Sequence, residues 1–305
     1  MKRFVKYRNG NYDVVFDCMT GTKIRENDED FFHAEFPESC DLTITSVCDG
    51  GCSFCYQGCT PNGVHADILS HAFLDTLRPY TELAINGNDL SHPNLVEFLY
   101  KMKDNNIIVN ITVNQMHFMR KLGFIKQLID DKLIYGLGVS LVSVSDEFIK
   151  TVKQFPNAVI HVVNGIVLPS QLELLAHNGL KILILGYKRL CRGETMYQAQ
   201  GNVIEEVKSQ LYDILPTIIN EHWFEVVSFD NLALKQLDAK RLLSQEEWDE
   251  FYMGDDGQDG DMSSASMYID LVNREYARNS TCTERYPLED DIVTMFDKLR
   301  GEYEA

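Results

Sequence analysis

The sequence predicts an α/β fold whose central part is a partial (β/α)6-type TIM barrel. From residue 42 onward, β-favouring runs alternate with amphipathic helical patterns, as expected of parallel strands joined by crossover helices. Because six or seven strand–helix units follow one another, we expect one barrel-like domain rather than two separate domains. The β-favouring runs begin near Leu42, Glu82, Ile107, Tyr135, Ala158, Lys181 and Glu225.

Both kinds of element have a clear pattern. Several predicted strands are apolar almost throughout, such as Ile182-Leu183-Ile184-Leu185, which is typical of parallel strands buried on both faces. The segments 95–102, 118–129 and 207–218 instead repeat apolar residues every three or four positions, which predicts helices. Ligands of such folds bind at the carboxyl ends of the strands, so functional residues are expected there.

Two extensions flank the predicted barrel, which we assign to residues 41–230. In residues 1–40, the β-favouring runs 4–7 and 12–16 flank a strong tight-turn signal at Asn9-Gly10, which predicts a β-hairpin. Residues 231–305 break the alternation and are expected to close the open side of the barrel. Their segment 254–261 is acidic and glycine-rich but lacks the glutamate that ends a calcium loop, so a flexible surface loop is expected.

The composition narrows the possible functions. Apolar residues make up 45% and charged residues 24%, which is typical of a soluble globular protein. The formal net charge of −18 disfavours a nucleic-acid polymer as partner, because such partners require a basic surface. No run approaches the ~20 apolar residues of a membrane span, and the first ten residues lack the apolar core of a signal peptide. We therefore expect a cytoplasmic protein without a membrane partner.

The eight cysteines are unevenly distributed. A disulfide framework is disfavoured in a reducing cytoplasm, where a tight cysteine cluster indicates a metal site. Cys48, Cys52 and Cys55 follow the first predicted barrel strand with the spacing C-x3-C-x2-C. Thiolates are soft ligands that suit iron–sulfur clusters or zinc, and Gly50-Gly51 permits the sharp turns that let the sulfurs converge. We expect a metal centre at the mouth of the barrel.

Cys59 leaves a second kind of metal site open. A structural zinc site takes four ligands, and Cys59 supplies a fourth thiolate. Structural zinc modules usually pair two cysteine knuckles, however, and no second C-x2-C follows in the sequence. The alternative to an iron–sulfur enzyme is a non-catalytic, barrel-like binding or scaffold protein with a structural four-cysteine zinc site.

The motif C-x3-C-x-aromatic-C, formed by Cys48, Cys52, Phe54 and Cys55, resembles that of the radical S-adenosylmethionine superfamily. The resemblance implies that the three cysteines hold a [4Fe–4S] cluster whose fourth iron binds S-adenosylmethionine, with Phe54 near the cofactor. It also implies an electron donor such as flavodoxin or ferredoxin, reductive cleavage to a 5′-deoxyadenosyl radical, and hydrogen abstraction from a small-molecule or peptide substrate. One coordination position kept free for a ligand is the arrangement of a catalytic metal site.

The end of the second predicted strand matches a further superfamily motif in part. Asn86-Gly87-Asn88-Asp89 stands before His92-Pro93, where the superfamily usually has Gly-Gly-Glu-Pro, which holds the methionyl ammonium. The carboxylate is thus either replaced by the amide of Asn88 or displaced by one residue to Asp89. Both side chains accept hydrogen bonds from an ammonium, and the charged acceptor binds more strongly.

The resemblance adds candidates at the later strand ends. Polar side chains there suit the ribose or the methionyl carboxylate, although a helix cap explains a single Ser or Asn equally well. A basic group at residues 188–192 suits a carboxylate or an anionic substrate, and a solvated loop explains it equally well. The candidate cofactor contacts are Asn114, Ser140, Asn164 and Lys188.

The last seventy residues contain two candidates for a substrate-side hydrogen donor, Tyr268 and Cys282. Apart from Cys191, Cys282 is the only cysteine beyond the first cluster, so no auxiliary cluster is expected. The two extensions also resemble those of small radical S-adenosylmethionine proteins of phages and prophages. A cluster that senses redox state without turnover is a third possibility.

Overall fold

The computed structural model describes residues 3–29, 31–251 and 264–300, which form two sheets. The first sheet is antiparallel and three-stranded, in the order β1-β2-β3. The predicted hairpin is confirmed, with its turn at Gly10, where φ is +59° and a side chain would collide with the carbonyl of His33. The third strand was not predicted. The strands are β1 (Phe4–Asn9), β2 (Tyr12–Asp17) and β3 (Lys23–Glu26).

The second sheet has ten strands, and its larger part is parallel. Seven parallel strands correspond to the predicted ones. The first begins three residues before its predicted start, and the other six begin within one residue of theirs. Three C-terminal strands extend the sheet beyond β4. The order is β10-β9-β8-β7-β6-β5-β4-β11-β12-β13. Their bounds are β4 (Ser39–Thr43), β5 (Glu82–Asn88), β6 (Ile108–Asn114), β7 (Gly136–Ser140), β8 (Ala158–Val163), β9 (Lys181–Leu185), β10 (Val226–Phe229), β11 (Ser266–Asp270), β12 (Glu275–Ala277) and β13 (Tyr286–Pro287).

From β5 onward, helices connect the parallel strands, whereas the segment between β4 and β5 contains only a 3-10 turn. The three predicted helical segments are confirmed, although residues 118–129 are divided between two helices. The longest helix contains Pro216 and departs from helical geometry at Gln200. The helices are α1 (Leu95–Asp104), α2 (Gln115–Arg120), α3 (Leu122–Asp130), α4 (Asp146–Val152), α5 (Pro169–Leu175), α6 (Arg192–Asn220), α7 (Asn231–Gln236), α8 (Gln245–Phe251) and α9 (Ile292–Arg300), with short 3-10 turns at Ala72–Asp75 and Ala239–Leu242.

The two faces of the parallel sheet differ in polarity. Alternate side chains on one face, such as Leu42, Ile85 and Ile182, are buried against the helices. The opposite face carries polar side chains, including Asp41 and Asn86. The expectation of strands buried on both faces is therefore wrong for these strands, because their second face borders a solvent-accessible interior.

The C-terminal residues continue the same sheet. β11 pairs in parallel with β4, so that Tyr268 lies beside Asp41, and β12 and β13 follow in antiparallel order. The acidic segment 254–261, predicted to be a flexible surface loop, lies outside the described residues. Among the described helices, none is long and apolar enough to cross a membrane.

Candidate active site

The loop that follows β4 holds the cysteines on an ordered backbone. The amide of Cys48 donates to the carbonyl of Thr60 at 3.0 Å, and the amide of Thr60 donates to the carbonyl of Ser46 at 3.0 Å. Gly51 has a φ of +62°, a left-handed conformation that glycine adopts readily. The glycine turn therefore forms where the sequence predicted it, between the first and second cysteines of the motif.

The three predicted cluster ligands, at positions 48, 52 and 55, are partly accessible. The backbone amide of Gly50 lies 3.3 Å from Cys48 Sγ, and Asn114 Nδ2 lies 3.5 Å from Cys52 Sγ. Such donors stabilise thiolates, and hydrogen bonds to ligand sulfurs also tune the potential of iron–sulfur clusters. The donor set fits a cluster that is held from one side and open on the other.

Cys59 makes its contacts inside the protein and is only 4% exposed. A hydrogen bond between the Cys59 and Cys55 thiols lowers the pKa of Cys55 and raises the pKa of Cys59. The Cys59 sulfur also lies 3.4 Å from Asn88 Nδ2 and 3.6 Å from Gln57 Oε1. Cys59 is thus a buried neighbour of Cys55, held by Asn88 and Gln57.

The arrangement of the thiols bears on the kind of metal site. Within the described ranges, no three His, Cys, Asp or Glu side chains are close enough together to hold a single metal ion. A structural zinc site requires four ligands around one ion. A [4Fe–4S] cluster distributes its cysteines over separate irons, so its ligand sulfurs stand farther apart.

Asn86 and Asn88, at the end of β5, fix the cysteine loop. Asn86 Nδ2 donates to the carbonyl of Thr45 at 2.8 Å, and Asn88 Nδ2 donates to the carbonyls of Thr45 and Val47 at 3.2 and 3.1 Å. Between them, a side chain at Gly87 would come within 2.6 Å of a side-chain carbon of Ile111, so only glycine fits. The amide nitrogen of Asn88 is therefore used to position the loop.

Asp89 is turned toward the start of the following helix. Its Oδ1 accepts hydrogen bonds from the amide and hydroxyl of Ser91, at 3.1 and 2.5 Å. Burial raises the pKa of Cys48, and the negative charge of Asp89 adds to that rise, which indicates that the carboxylate lies near the loop. Asp89 thus remains the charged candidate for an ammonium contact.

An apolar cavity of about 270 Å³ borders the cysteine loop at Phe54. Its walls come from the ends of β7 and β8 and from the first half of α6, and Gln171 and Gln200 add two amides. A side chain at Gly165 would come within 2.8 Å of Ile204, so this glycine permits close packing of α6. Of the candidates at the strand ends, Ser140 immediately precedes the wall residue Leu141.

Three other candidates have contacts within the protein. Asn114 caps α2, its Oδ1 accepting from the amide of Met116 at 2.9 Å. Asn164 is fully buried, and its amide donates to Gln236 of α7 at 3.1 Å. Lys188 lines a second cavity. Asn114 is therefore next to the cysteines, whereas Asn164 and Lys188 are not among the residues that line the apolar cavity.

The two candidate hydrogen donors lie on the other side of β4. The hydroxyl of Tyr268 is 3.0 Å from Thr43 Oγ1 and 3.3 Å from Asp270, and its side chain is 5% exposed. Burial raises the pKa of Tyr268. Cys282 is half-buried and lines the second cavity. Tyr268 is thus bound into the wall, while Cys282 faces space that a ligand can occupy.

Two anchors of the cysteine loop were missed by the sequence analysis. Arg192 belongs to the basic group at residues 188–192. It donates to the carbonyls of Cys52 and Cys59, each at 2.8 Å. Asp49 is hydrogen-bonded to His117 of α2, and this bond lowers the pKa of Asp49. The partners are 133–140 and 68 residues apart in sequence, so no local pattern could have indicated them.

The comparison with solved structures gives two similar chains, while no family model and no curated protein matches the sequence. The crystal structure of SuiB from Streptococcus suis bound to S-adenosylmethionine matches with a TM-score of 0.64 and 12% identity. A second crystal structure of SuiB from Streptococcus suis matches with a TM-score of 0.60 and 13% identity. Each match covers 99% of this chain and 89% of the SuiB chain. At this identity the likeness concerns the fold: this chain shares the fold of SuiB, one of whose structures contains S-adenosylmethionine.

Proposed function

We propose that this protein is a radical S-adenosylmethionine enzyme that holds a [4Fe–4S] cluster on Cys48, Cys52 and Cys55. The observation that carries the proposal is the placement of three accessible thiols beside an apolar cavity, on a fold shared with a structure that binds S-adenosylmethionine. Strands β4–β9 would then form a partial (β/α)6-type barrel that β10 extends, with the polar face of the sheet turned inward and the C-terminal residues closing its open side.

The apolar cavity suits the adenosine part of S-adenosylmethionine. Phe54 offers an aromatic face from the cysteine loop, and Leu141 and Val163 line the cavity from the strand ends. The amides of Gln171 and Gln200 can hydrogen-bond the edge of an adenine ring. Ser140 lies beside this wall and would reach the ribose.

Asp89 is the better of the two candidates for the methionyl ammonium. The amide nitrogen of Asn88 donates to the cysteine loop, and its Oδ1 already lies 3.5 Å from the Asn86 amide nitrogen. Asp89 offers a carboxylate near Cys48, and a charged acceptor binds an ammonium more strongly than an amide oxygen does. Asn88 therefore fixes the loop, and Asp89 binds the cofactor.

A [4Fe–4S] cluster held by this loop would supply the electron for reductive cleavage of S-adenosylmethionine, and hydrogen abstraction from the substrate would follow. The chain's own residues hold the three thiolates, orient the cofactor and keep water away from the adenosine. The electron donor in this proposal is a flavodoxin or a ferredoxin, the substrate is a small molecule or a peptide, and the compartment is the cytoplasm.

Anaerobic reconstitution tests the proposal. After addition of iron and sulfide, the protein is expected to turn brown and to contain iron and acid-labile sulfide in equal amounts. Dithionite should then release 5′-deoxyadenosine from S-adenosylmethionine, as measured by liquid chromatography. A colourless protein that retains one zinc would instead support the four-cysteine scaffold.

A tryptophan at the rim of the apolar cavity tests the adenosine site. Val142 lines the cavity and is 47% exposed, so Val142→Trp should fold normally while its larger side chain fills the entrance. We expect the dissociation constant of S-adenosylmethionine to rise about tenfold or more, equivalent to ~1.4 kcal/mol. Equilibrium dialysis of the reconstituted protein measures this constant. The matched control is Val96→Trp on the exposed side of α1, which should bind like the wild type.

A further inference from the structure

A second cavity, of about 520 Å³, lies between β4, β11 and the start of α7. Residues 278–282 and the loop after β9 complete its walls, and it shares no lining residue with the apolar cavity. Its size falls within the range typical of small-molecule sites. Unlike the apolar cavity, it is lined by charged side chains of both signs.

Asp41 supplies a negative charge without a partner in the protein. Its side chain projects from the polar face of β4 and is exposed to the cavity. Among the described residues, its carboxylate makes no hydrogen bond or ion pair. Burial by the surrounding walls raises the pKa of Asp41, and the positive charge of Lys188 partly opposes the rise.

Lys188 supplies a positive charge to the same cavity. Its ammonium donates to Ser280 Oγ at 2.8 Å and lies 4.3 Å from the centre of the Tyr56 ring. In the described part of the chain, no carboxylate lies within ion-pair distance of it, Asp41 included. Asp41 and Lys188 therefore present opposite charges to one cavity and form no ion pair with each other.

The other charged groups of the cavity are engaged elsewhere. The carboxylate of Asp230 accepts from the amides of Ala233 and Gly186 at 2.7 and 2.9 Å, and thereby caps α7. Lys235 and Arg278 also have partners within the protein. Asp41 and Lys188 are thus the two charges that the cavity offers to a ligand.

We propose that this cavity binds the substrate and that the substrate is a zwitterion of the free amino-acid class. The assignment rests on the proposed function and narrows its substrate from a small molecule or peptide to a small molecule. The ligand's ammonium binds Asp41, and its carboxylate binds Lys188 and the hydroxyl of Ser280. Both contacts are charge-assisted hydrogen bonds, which are stronger than neutral ones. The rest of the cavity is left for the ligand's side chain.

Cys282 provides a direct measure of occupancy, because it lines the same cavity. Its alkylation by iodoacetamide can be followed by peptide mass spectrometry in the reconstituted protein, with the exposed Cys191 as internal control. The probe is an equimolar mixture of the nineteen common amino acids other than cysteine, whose thiol would consume the reagent. The comparison probe is the same mixture with acetylated amino groups and amidated carboxyl groups.

The free amino acids are expected to slow alkylation of Cys282 about threefold when the ligand reaches roughly twice its dissociation constant, whereas the capped mixture should have no effect. Asp41→Asn and Lys188→Met should each abolish the protection. Asp213→Asn and Lys153→Met, which change exposed residues outside the cavity, should retain it.

Three results would overturn the assignment. The first is equal rates with both mixtures, and the second is protection that survives both cavity variants. The third is that S-adenosylmethionine alone protects Cys282 as strongly as the free amino acids do. This result would show that the cavity binds the cofactor rather than the substrate. Release of 5′-deoxyadenosine by the wild type is measured separately. If it occurs without protection of Cys282, the substrate assignment fails while the proposed function stands.

Discussion

Replacement of Cys48, Cys52 or Cys55 by alanine is expected to remove essentially all cluster iron and all formation of 5′-deoxyadenosine, whereas Cys59→Ala should retain both. Each of the first three thiols would bind its own iron, so the loss of any one leaves an iron without its protein ligand. Cys59 is 4% exposed and bonded to Cys55, Asn88 and Gln57. Its removal therefore costs neutral hydrogen bonds of ~1 kcal/mol each rather than a ligand.

Iron, sulfide and zinc contents, together with the visible spectrum, measure this difference. Cys18→Ala serves as the control for loss of a buried thiol, because Cys18 lies in the N-terminal part of the chain and is 3% exposed. If Cys59→Ala lost its metal as completely as Cys52→Ala, and the wild type held zinc, the four-cysteine scaffold would replace the radical enzyme as the best interpretation.

Cys59→Ala should also change the cluster in a way that Cys18→Ala does not. The Cys59 thiol lies beside the sulfur of the ligand Cys55, and this contact lowers the pKa of Cys55. Fewer hydrogen bonds to the sulfurs shift the reduction potential of a cluster. We expect the potential of Cys59→Ala to become more negative, because the reduced cluster carries more negative charge and loses a stabilising donor. A redox titration monitored by electron paramagnetic resonance measures this shift.

The alternation of strands and helices was predictable because each unit has its own local pattern. The hairpin at Asn9-Gly10 and the parallel strands are examples. β3 was not predicted because Lys23-Ile24-Arg25-Glu26 is mostly charged, and its strand conformation depends on pairing with β2. The polar second face of the sheet was missed for a different reason. Asp41 alternates with Cys40 and Leu42 within a strand of only five residues, too few for a clear period.

The candidate site also combines features that the local sequence predicts with contacts that depend on the fold. The spacing of the cysteines and the glycines between them is local, so the metal centre could be predicted from sequence. The contacts of Arg192 with the loop carbonyls and of His117 with Asp49 depend on how distant segments meet. The pairing of Asp41 and Lys188 around one cavity likewise depends on the fold, since the two residues stand on different strand–loop units.

Glu38→Gln is expected to be the most destabilising conservative change in the N-terminal part of the chain. Glu38 is 1% exposed and lies immediately before β4. Its carboxylate accepts two hydrogen bonds from Arg25, at 2.9 and 3.1 Å, and lies 3.5 Å from Lys23 Nζ. The hydroxyl of Tyr12 donates to it at 2.5 Å. The network connects the first sheet to the parallel sheet.

Removal of this negative charge leaves Arg25 without an ion-pair partner among the described residues, whereas Lys23 keeps Glu82 at 2.7 Å. Breaking a buried ion pair in this way typically costs 3–5 kcal/mol, so we expect a loss of about that size in the free energy of unfolding. Urea denaturation followed by circular dichroism measures it. Glu26→Gln, on the exposed side of β3, is the matched control and should change stability by less than ~0.5 kcal/mol.

The same network predicts a pH dependence. Burial alone would raise the pKa of Glu38, but Arg25 and Lys23 outweigh it, and the pKa is lowered in the folded protein. A carboxyl with a lowered folded pKa contributes stability above its unfolded pKa of ~4.3, and this contribution is lost as the pH falls through the folded pKa. The difference in unfolding free energy between the wild type and Glu38→Gln should therefore be largest near neutral pH and narrow below about pH 4. A difference that stayed constant between pH 7 and pH 3 would show that Glu38 acts through packing rather than through its charge.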